Sequence, residues 1–153
     1  MKTVILAGGK GTRIASITSE IPKALIPVNG MPVLEYQVIM ARDQGFREFI
    51  FIIGHLGSKI REYFGSGEKW GVSIEYFEER VPLGTAGALA YLKDKLDDDF
   101  FVFYGDTVMD IDMRNMLAFH REHHSDATLL LHPNDHPYDS DPVSYTHLTL
   151  PTN

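Results

Sequence analysis

Short apolar runs alternate along the chain with segments whose apolar residues recur at helical spacing. Thr3 to Ala7, Phe49 to Ile53, Val72 to Phe77, Phe100 to Tyr104 and Ala127 to Leu131 read as strands. Val33 to Arg42, Ser58 to Phe64, Thr85 to Leu92 and Met113 to His124 read as helices. Glycines stand where this rhythm needs turns: Gly45 after the first helix, Gly54 and Gly57 after a strand, Gly65 and Gly67 after a helix, and Gly71 before a strand. The alternation predicts the α/β class with a mostly parallel sheet. In an open sheet of that kind ligands bind outside the carboxyl ends of the strands. The segments following Ala7, Phe77 and Tyr104 are therefore the places to seek chemistry.

Composition narrows the picture without changing it. A length of 153 residues with 44% hydrophobic positions is enough for one domain with a real core. The 14 Lys and Arg against 21 Asp and Glu give a formal charge of -7, which argues against generic nucleic-acid binding. No cysteine is present, so no disulfide framework, thiolate zinc site or cysteine nucleophile exists. The apolar run Val4 to Ala7 breaks at Gly8-Gly9, far short of a secretion signal, and no stretch approaches a membrane span. A cytoplasmic protein that enters no membrane is the expectation.

Four constellations carry candidate chemistry. Leu6-Ala7-Gly8-Gly9-Lys10-Gly11-Thr12-Arg13 is a glycine-rich loop leaving the first strand, where missing side chains let backbone N–H groups turn toward an anion such as phosphate. It lacks the Lys-Ser/Thr ending of a Walker loop, and Ile14 stands where the dinucleotide fingerprint needs a third glycine. A ligand-free glycine turn is the alternative. Ile21-Pro22-Lys23-Ala24-Leu25-Ile26-Pro27-Val28 holds a lysine in a segment stiffened by two prolines, and Arg13 and Lys23 are the candidates to neutralise a triphosphate, against the usual reading of a solvated surface lysine. Phe100 to Asp106 is an apolar strand delivering a carboxylate at its end, suited to a hard cation such as Mg2+, which needs only one or two protein carboxylates beside phosphate oxygens and water. A turn or helix cap is the competing role, which Asp110 and Asp112 fit better. Pro82-Leu83-Gly84-Thr85-Ala86-Gly87-Ala88 opens a helix with small residues, which lets a flat ring approach the backbone but serves packing as often.

Taken together and in this order, the residues resemble the sugar nucleotidyltransferases, with their Leu-Ala-Gly-Gly-x-Gly-Thr-Arg loop, Pro-Lys-x-x-x-Pro, Gly-Thr-x-Gly and Gly-Asp. The likeness runs from residue 1 to about 141 and is nearest to mannose-1-phosphate and manno-heptose-1-phosphate guanylyltransferases. It implies a Rossmann-like three-layer α/β/α sandwich and a Mg2+-dependent reaction of a nucleoside triphosphate, GTP first, with a sugar 1-phosphate. Leu6, Ala7, Gly8, Gly9, Gly11 and Thr12 would hold base and phosphates, Arg13 the leaving pyrophosphate, Lys23 the reacting phosphates, Gly84 and Thr85 the base or sugar edge, and Asp106 the metal. Uridylyl and thymidylyl transfer, or a non-catalytic sensor of nucleotide sugars, are the alternatives. A homo-oligomer is a further expectation, and the loop from His132 to Asp141 is similar to members fused to a haloacid-dehalogenase-type phosphatase.

The end of the chain departs from this pattern. Val143 to Asn153 carries no Lys, Arg, Asp or Glu, and Val143 to Thr152 matches one reading frame of a transposase adapter used in sequencing libraries. Residues 1–142 are therefore expected to be the N-terminal part of the nucleotidyltransferase domain and 143–153 a non-native tail. The family's second metal-binding aspartate would lie in a later segment. His120 and His124 stand at the i, i+4 spacing of a metal pair, but no carboxylate is fixed as third ligand, so a solvated helix face is the better reading.

Overall fold

The computed structural model describes residues 1–9, 20–79, 81, 83–96 and 98–131, with only the backbone of Thr85. Residues 1–111 form one unit, and the described residues from 112 to 131 belong to another. The first unit holds strands β1 (Lys2–Ala7), β2 (Pro27–Val28), β3 (Met31–Pro32), β4 (Glu48–Ile53), β5 (Ser73–Glu78) and β6 (Phe101–Tyr104). Its helices are α1 (Val33–Asp43), α2 (Gly57–Phe64) and α3 (Gly84–Tyr91). The helices and β1, β4, β5 and β6 agree with their predicted segments to within one or two residues at either end.

Strands β5, β4, β1 and β6 form one parallel sheet in that order. After β1 the chain moves outward to β4 and β5, then returns past β1 to lay down β6. The reversal leaves a crevice at the carboxyl ends of β1 and β6, the switch point at which such sheets bind ligands. Both faces of the sheet are covered, which is why β1, β4 and β6 read as largely apolar runs, while the edge strand β5 alternates. Val4, Ile50 and Ile52 pack with Ala88 and Leu92 at α3 on one face. On the other face Phe51 meets Phe64 of α2 edge to face with centroids 5.4 Å apart, and the Ile53 side chain lies against Gly57. Helix α1 shares that second face: Glu35 accepts hydrogen bonds from Tyr63 Oη of α2 at 2.5 Å and from Trp70 Nε1 at 3.0 Å. The Glu35 carboxylate, as acceptor, pushes the Tyr63 phenol up to about 12, so this tie persists through the neutral range.

A small hairpin, unanticipated from the apolar pattern, joins the lysine segment to α1. Asn29 and Gly30 both have positive φ, 49° and 83°, as a tight two-residue turn requires, and Val28 faces Met31 across it. Tyr36 Oη of α1 donates to Val28 O at 2.9 Å, fixing the hairpin to the helix.

In the second unit α4 (Met113–Glu122) starts at Asp112, whose carboxylate accepts the Asn115 N–H at 2.9 Å, the cap role read from the sequence. The strand expected from Ala127 to Leu131 does not form: no ladder among the described residues includes it, and Leu129 and Leu130 are 71% and 59% exposed. An apolar run becomes a strand only where another edge takes up its N–H and C=O groups, and composition cannot supply that edge. His120 Nδ1 contacts Thr128 Oγ1 at 2.9 Å, and His124 lies just past the end of α4 with a positive φ of 47°. The tail and the loop from His132 lie outside the described residues.

Thr3, fully buried in β1, has a hydroxyl without a hydrogen-bond partner among the described residues. A buried orphan of this kind costs about 1–3 kcal/mol, and Val has the same shape without it. Thr3→Val is expected to stabilise the protein by about 1 kcal/mol, raising the melting temperature by ~3 °C. A lowered melting temperature would show that the hydroxyl is bonded after all.

Candidate active site

Each element that reaches the carboxyl edge of the sheet ends in a residue with a chemical or steric reason to be there. Beyond β1 the chain runs through Gly8, and beyond β4 it passes Gly54 at van der Waals limits: a Cβ on Gly54 would sit 2.8 Å from Gly8 O. Only a glycine at position 54 lets these backbones pass so closely. A Cβ on Gly8 would collide with Glu79 Oε2, so the Glu79 carboxylate lies directly against the start of the glycine loop. Glu79 is placed by the sheet, since its N–H donates to Ile53 O at 2.8 Å just past the end of β5. Its Oε1 accepts the Leu83 N–H at 3.2 Å, which ties it to the entry of α3. Gly84 follows with φ of 67°, in the left-handed region that favours glycine, and among the described residues nothing lies within 4 Å of where its Cβ would be.

On the other flank, β6 delivers Gly105 and Asp106. The Gly105 N–H donates to Leu6 O at 2.9 Å, and a Cβ there would press on Ala7 and Ile5 at 3.2 Å. Glycine thus lets the turn after β6 lie flat on the end of β1. The Asp106 carboxylate then faces Lys23, with Nζ to Oδ2 at 3.9 Å. Lys23 begins a 3-10 turn over Lys23–Leu25, whose Leu25 N–H donates to Pro22 O at 2.8 Å and whose Ala24 is buried. The proline-stiffened segment expected from the sequence is this turn together with the hairpin behind it. The side chains of Lys23 and Asp106 remain 26% and 45% exposed, enough to meet a ligand.

These contacts link consecutively: Lys23 to Asp106, Asp106 through Gly105 to Leu6 and Ala7, Ala7 through Gly8 to Glu79, and Glu79 through Leu83 to Gly84. Residues of all four motifs, from Leu6 to Asp106, are thereby joined along one edge. Gly11, Thr12 and Arg13 lie outside the described residues, as does the side chain of Thr85. Glu79 was not singled out in the sequence, and Gly54 was read there only as a turn glycine. The available signal was their position: both follow apolar strands at the ligand-binding end, as Asp106 does.

The donors present are oxygen donors, which hard cations favour. Among the described residues no group of three or more His, Cys, Asp or Glu is assembled, as a protein-caged zinc site would need. One half-exposed strand-end carboxylate beside an ammonium instead suits Mg2+, most of whose ligands come from phosphates and water.

A doubly wound parallel sheet with Gly8, Lys23 and Asp106 at its switch point defines an α/β protein of the kind that binds ligands at that edge. The Nucleotidyl transferase family profile matches residues 2–140, and the chain belongs to that family. It is 37% identical over 142 residues to the UTP--glucose-1-phosphate uridylyltransferase of Synechocystis, covering 85% of this chain and 37% of that protein. It is 38% identical over 116 residues to the D-glycero-alpha-D-manno-heptose 1-phosphate guanylyltransferase of Campylobacter jejuni, covering 76% and 52%. Among solved structures, HddC from Yersinia pseudotuberculosis superposes with a TM-score of 0.68 at 29% identity, covering 78% of this chain and 53% of that one. The chain thus spans from about a third to about half the length of these relatives. No helix among the described residues is long and apolar enough to cross a membrane.

Proposed function

We propose that the protein to which this chain belongs is a cytoplasmic, Mg2+-dependent sugar-1-phosphate nucleotidyltransferase, using GTP with a mannose- or heptose-type sugar 1-phosphate. The observation that carries the reading is the unbroken line of contacts from Lys23 and Asp106 to Gly8, Glu79 and Gly84 at the switch point. In the reaction an oxygen of the sugar 1-phosphate attacks the α-phosphorus of the triphosphate in line. The bond to the β-phosphate oxygen breaks, and pyrophosphate leaves as the nucleotide sugar forms. A phosphate oxygen is already anionic, so the step needs no strong base, and catalysis rests on alignment and charge neutralisation. Backbone N–H groups of the loop from Gly8 receive phosphate oxygens, and the Lys23 ammonium offsets charge on the reacting phosphates. Bound Mg2+, held by Asp106, would supply further neutralisation of the phosphate oxygens.

In this reading Glu79, beside Gly8, is the residue that would accept from the guanine edge. A carboxylate only accepts hydrogen bonds, and it is most fully used by a base edge that presents neighbouring donors. Guanine offers N1–H and the 2-amino group side by side, whereas uracil and thymine offer one N–H. Glu79→Gln is expected to lower the GTP-over-UTP ratio of kcat/KM by about ten- to a hundredfold, the worth of a hydrogen bond to a charged group. An unchanged ratio would remove Glu79 from base selection.

A pyrophosphate-release assay on the complete gene product tests the whole reading, with five nucleoside triphosphates against a set of sugar 1-phosphates. Turnover is expected to be fastest with GTP and a mannose- or heptose-type partner. Tight nucleotide binding without turnover of any pair would identify a sensor of nucleotide sugars instead.

A further inference from the structure

We propose that Gln37 is a positioning residue for the turn that presents Asp106, an inference that rests on the reading of Asp106 as the magnesium ligand. Gln37 lies on the buried stripe of α1 among Val33, Leu34, Val38 and Ala41, and is 2% exposed. An apolar side chain would suit that stripe, yet Gln37 aims its amide nitrogen at the turn after β6. Nε2 donates to Tyr104 O at 2.7 Å and to Thr107 O at 2.5 Å, and lies 3.3 Å from Thr107 Oγ1. Tyr104 and Thr107 are the first and last residues of the four-residue turn that contains Asp106. Thr107 Oγ1 closes the same turn by donating to Tyr104 O at 2.8 Å. Both amide hydrogens are therefore spent holding the two ends of the turn together, while the Gly105 N–H fixes its middle to Leu6 O.

The cost of this arrangement points to its purpose. Gln37 Oε1 is buried without a hydrogen-bond partner among the described residues. Turning the amide over would set that oxygen against the Tyr104 and Thr107 carbonyls, so the two acceptors dictate the orientation. A residue selected for stability alone would not leave an acceptor buried and unmet. A carboxylate meant to meet a metal and a triphosphate in one geometry does need its backbone held, and outer-shell partners of metal ligands typically govern affinity ten- to a hundredfold.

The test uses Gln37→Met in the complete protein, which keeps the volume and removes both the donors and the orphan acceptor. Mn2+ affinity is read by electron paramagnetic resonance on the nucleotide-bound protein, beside the Mg2+ concentration for half-maximal turnover and the nucleotide Kd in EDTA. The expected result is Mn2+ affinity and the Mg2+ midpoint each weakened about tenfold, with the metal-free nucleotide Kd unchanged. Unchanged metal affinity, whatever happens to the melting temperature, would leave Gln37 a structural brace and overturn the proposal. Should Gln37→Met fail to fold, Thr107→Val decides: about threefold weaker Mn2+ binding is expected, and an unaltered value overturns the proposal. Asp106→Asn is the reference. If it binds Mn2+ as tightly as the parent, the metal assignment itself fails, whereas a weakened Asp106→Asn beside an unaffected Gln37→Met refutes only the positioning role.

Discussion

Asp106→Asn is expected to leave the fold intact while lowering metal-dependent turnover about a thousandfold, roughly 4 kcal/mol of transition-state stabilisation. The two halves of this expectation have separate grounds. Asp106 is 45% exposed and 3.9 Å from Lys23, and a pair this open contributes about 0–1 kcal/mol to stability. Asparagine is as much at home in a turn as aspartate, so the backbone of residues 104–107 loses nothing. The ligand chemistry, by contrast, changes completely, because an amide oxygen is a far poorer partner for a hard dication than a carboxylate. Pyrophosphate release at saturating nucleotide, read beside a thermal melt, checks both halves. Collapse of the melting temperature would show that the carboxylate holds the turn, and retained turnover would show that the metal is bound elsewhere.

Strands β1, β4 and β6 were legible because burial on both faces leaves them few polar positions, and Phe49 to Ile53 can be little else, whereas edge strand β5 alternates with Ser73 and Glu75 exposed. Helix α1 was legible through its spacing, and Asp112 as a cap through its place before an amphipathic stretch. Asn29-Gly30 was an equally strong local signal for a hairpin, obscured because two-residue strands carry no periodicity of their own. Ala127 to Leu131 failed for the opposite reason, since a β-branched and leucine-rich composition does not create a pairing edge. At the site, Lys23, Gly84 and Asp106 were found because each belongs to a contiguous motif. Glu79 and Gln37 act through distant partners, Gly8 and Leu83 for the one, Tyr104 and Thr107 for the other. Position alone hinted at them: an acidic residue just past a strand end, and an amide interrupting an apolar stripe. Neither hint says what the side chain touches, which only the register of β1, β4, β5 and β6 decides.

Lys23→Ala is expected to move two properties of the site in opposite directions. Turnover should fall by about two to three orders of magnitude, roughly 3–4 kcal/mol, the usual cost of removing one preorganised charge or donor aimed at a developing anion. Metal affinity should not fall with it. The ammonium stands 3.9 Å from the Asp106 carboxylate, outside hydrogen-bond reach, so its influence there is Coulombic: it occupies part of the negative potential that a cation would otherwise feel. Removing it leaves Asp106 more attractive to Mn2+ in the absence of nucleotide, by a few-fold after solvent screening. Collapse of the local structure would weaken both properties together, so the opposed signs separate a missing charge from a damaged site. Lys23→Arg extends the argument, since it restores the charge but replaces a compact ammonium with a planar fork that the 3-10 turn was not shaped to aim. It should recover the metal affinity of the parent and only part of the rate. If Lys23→Ala turns over as fast as the parent, the lysine is a solvated surface residue, and neutralisation of the reacting phosphates falls to cations other than Lys23.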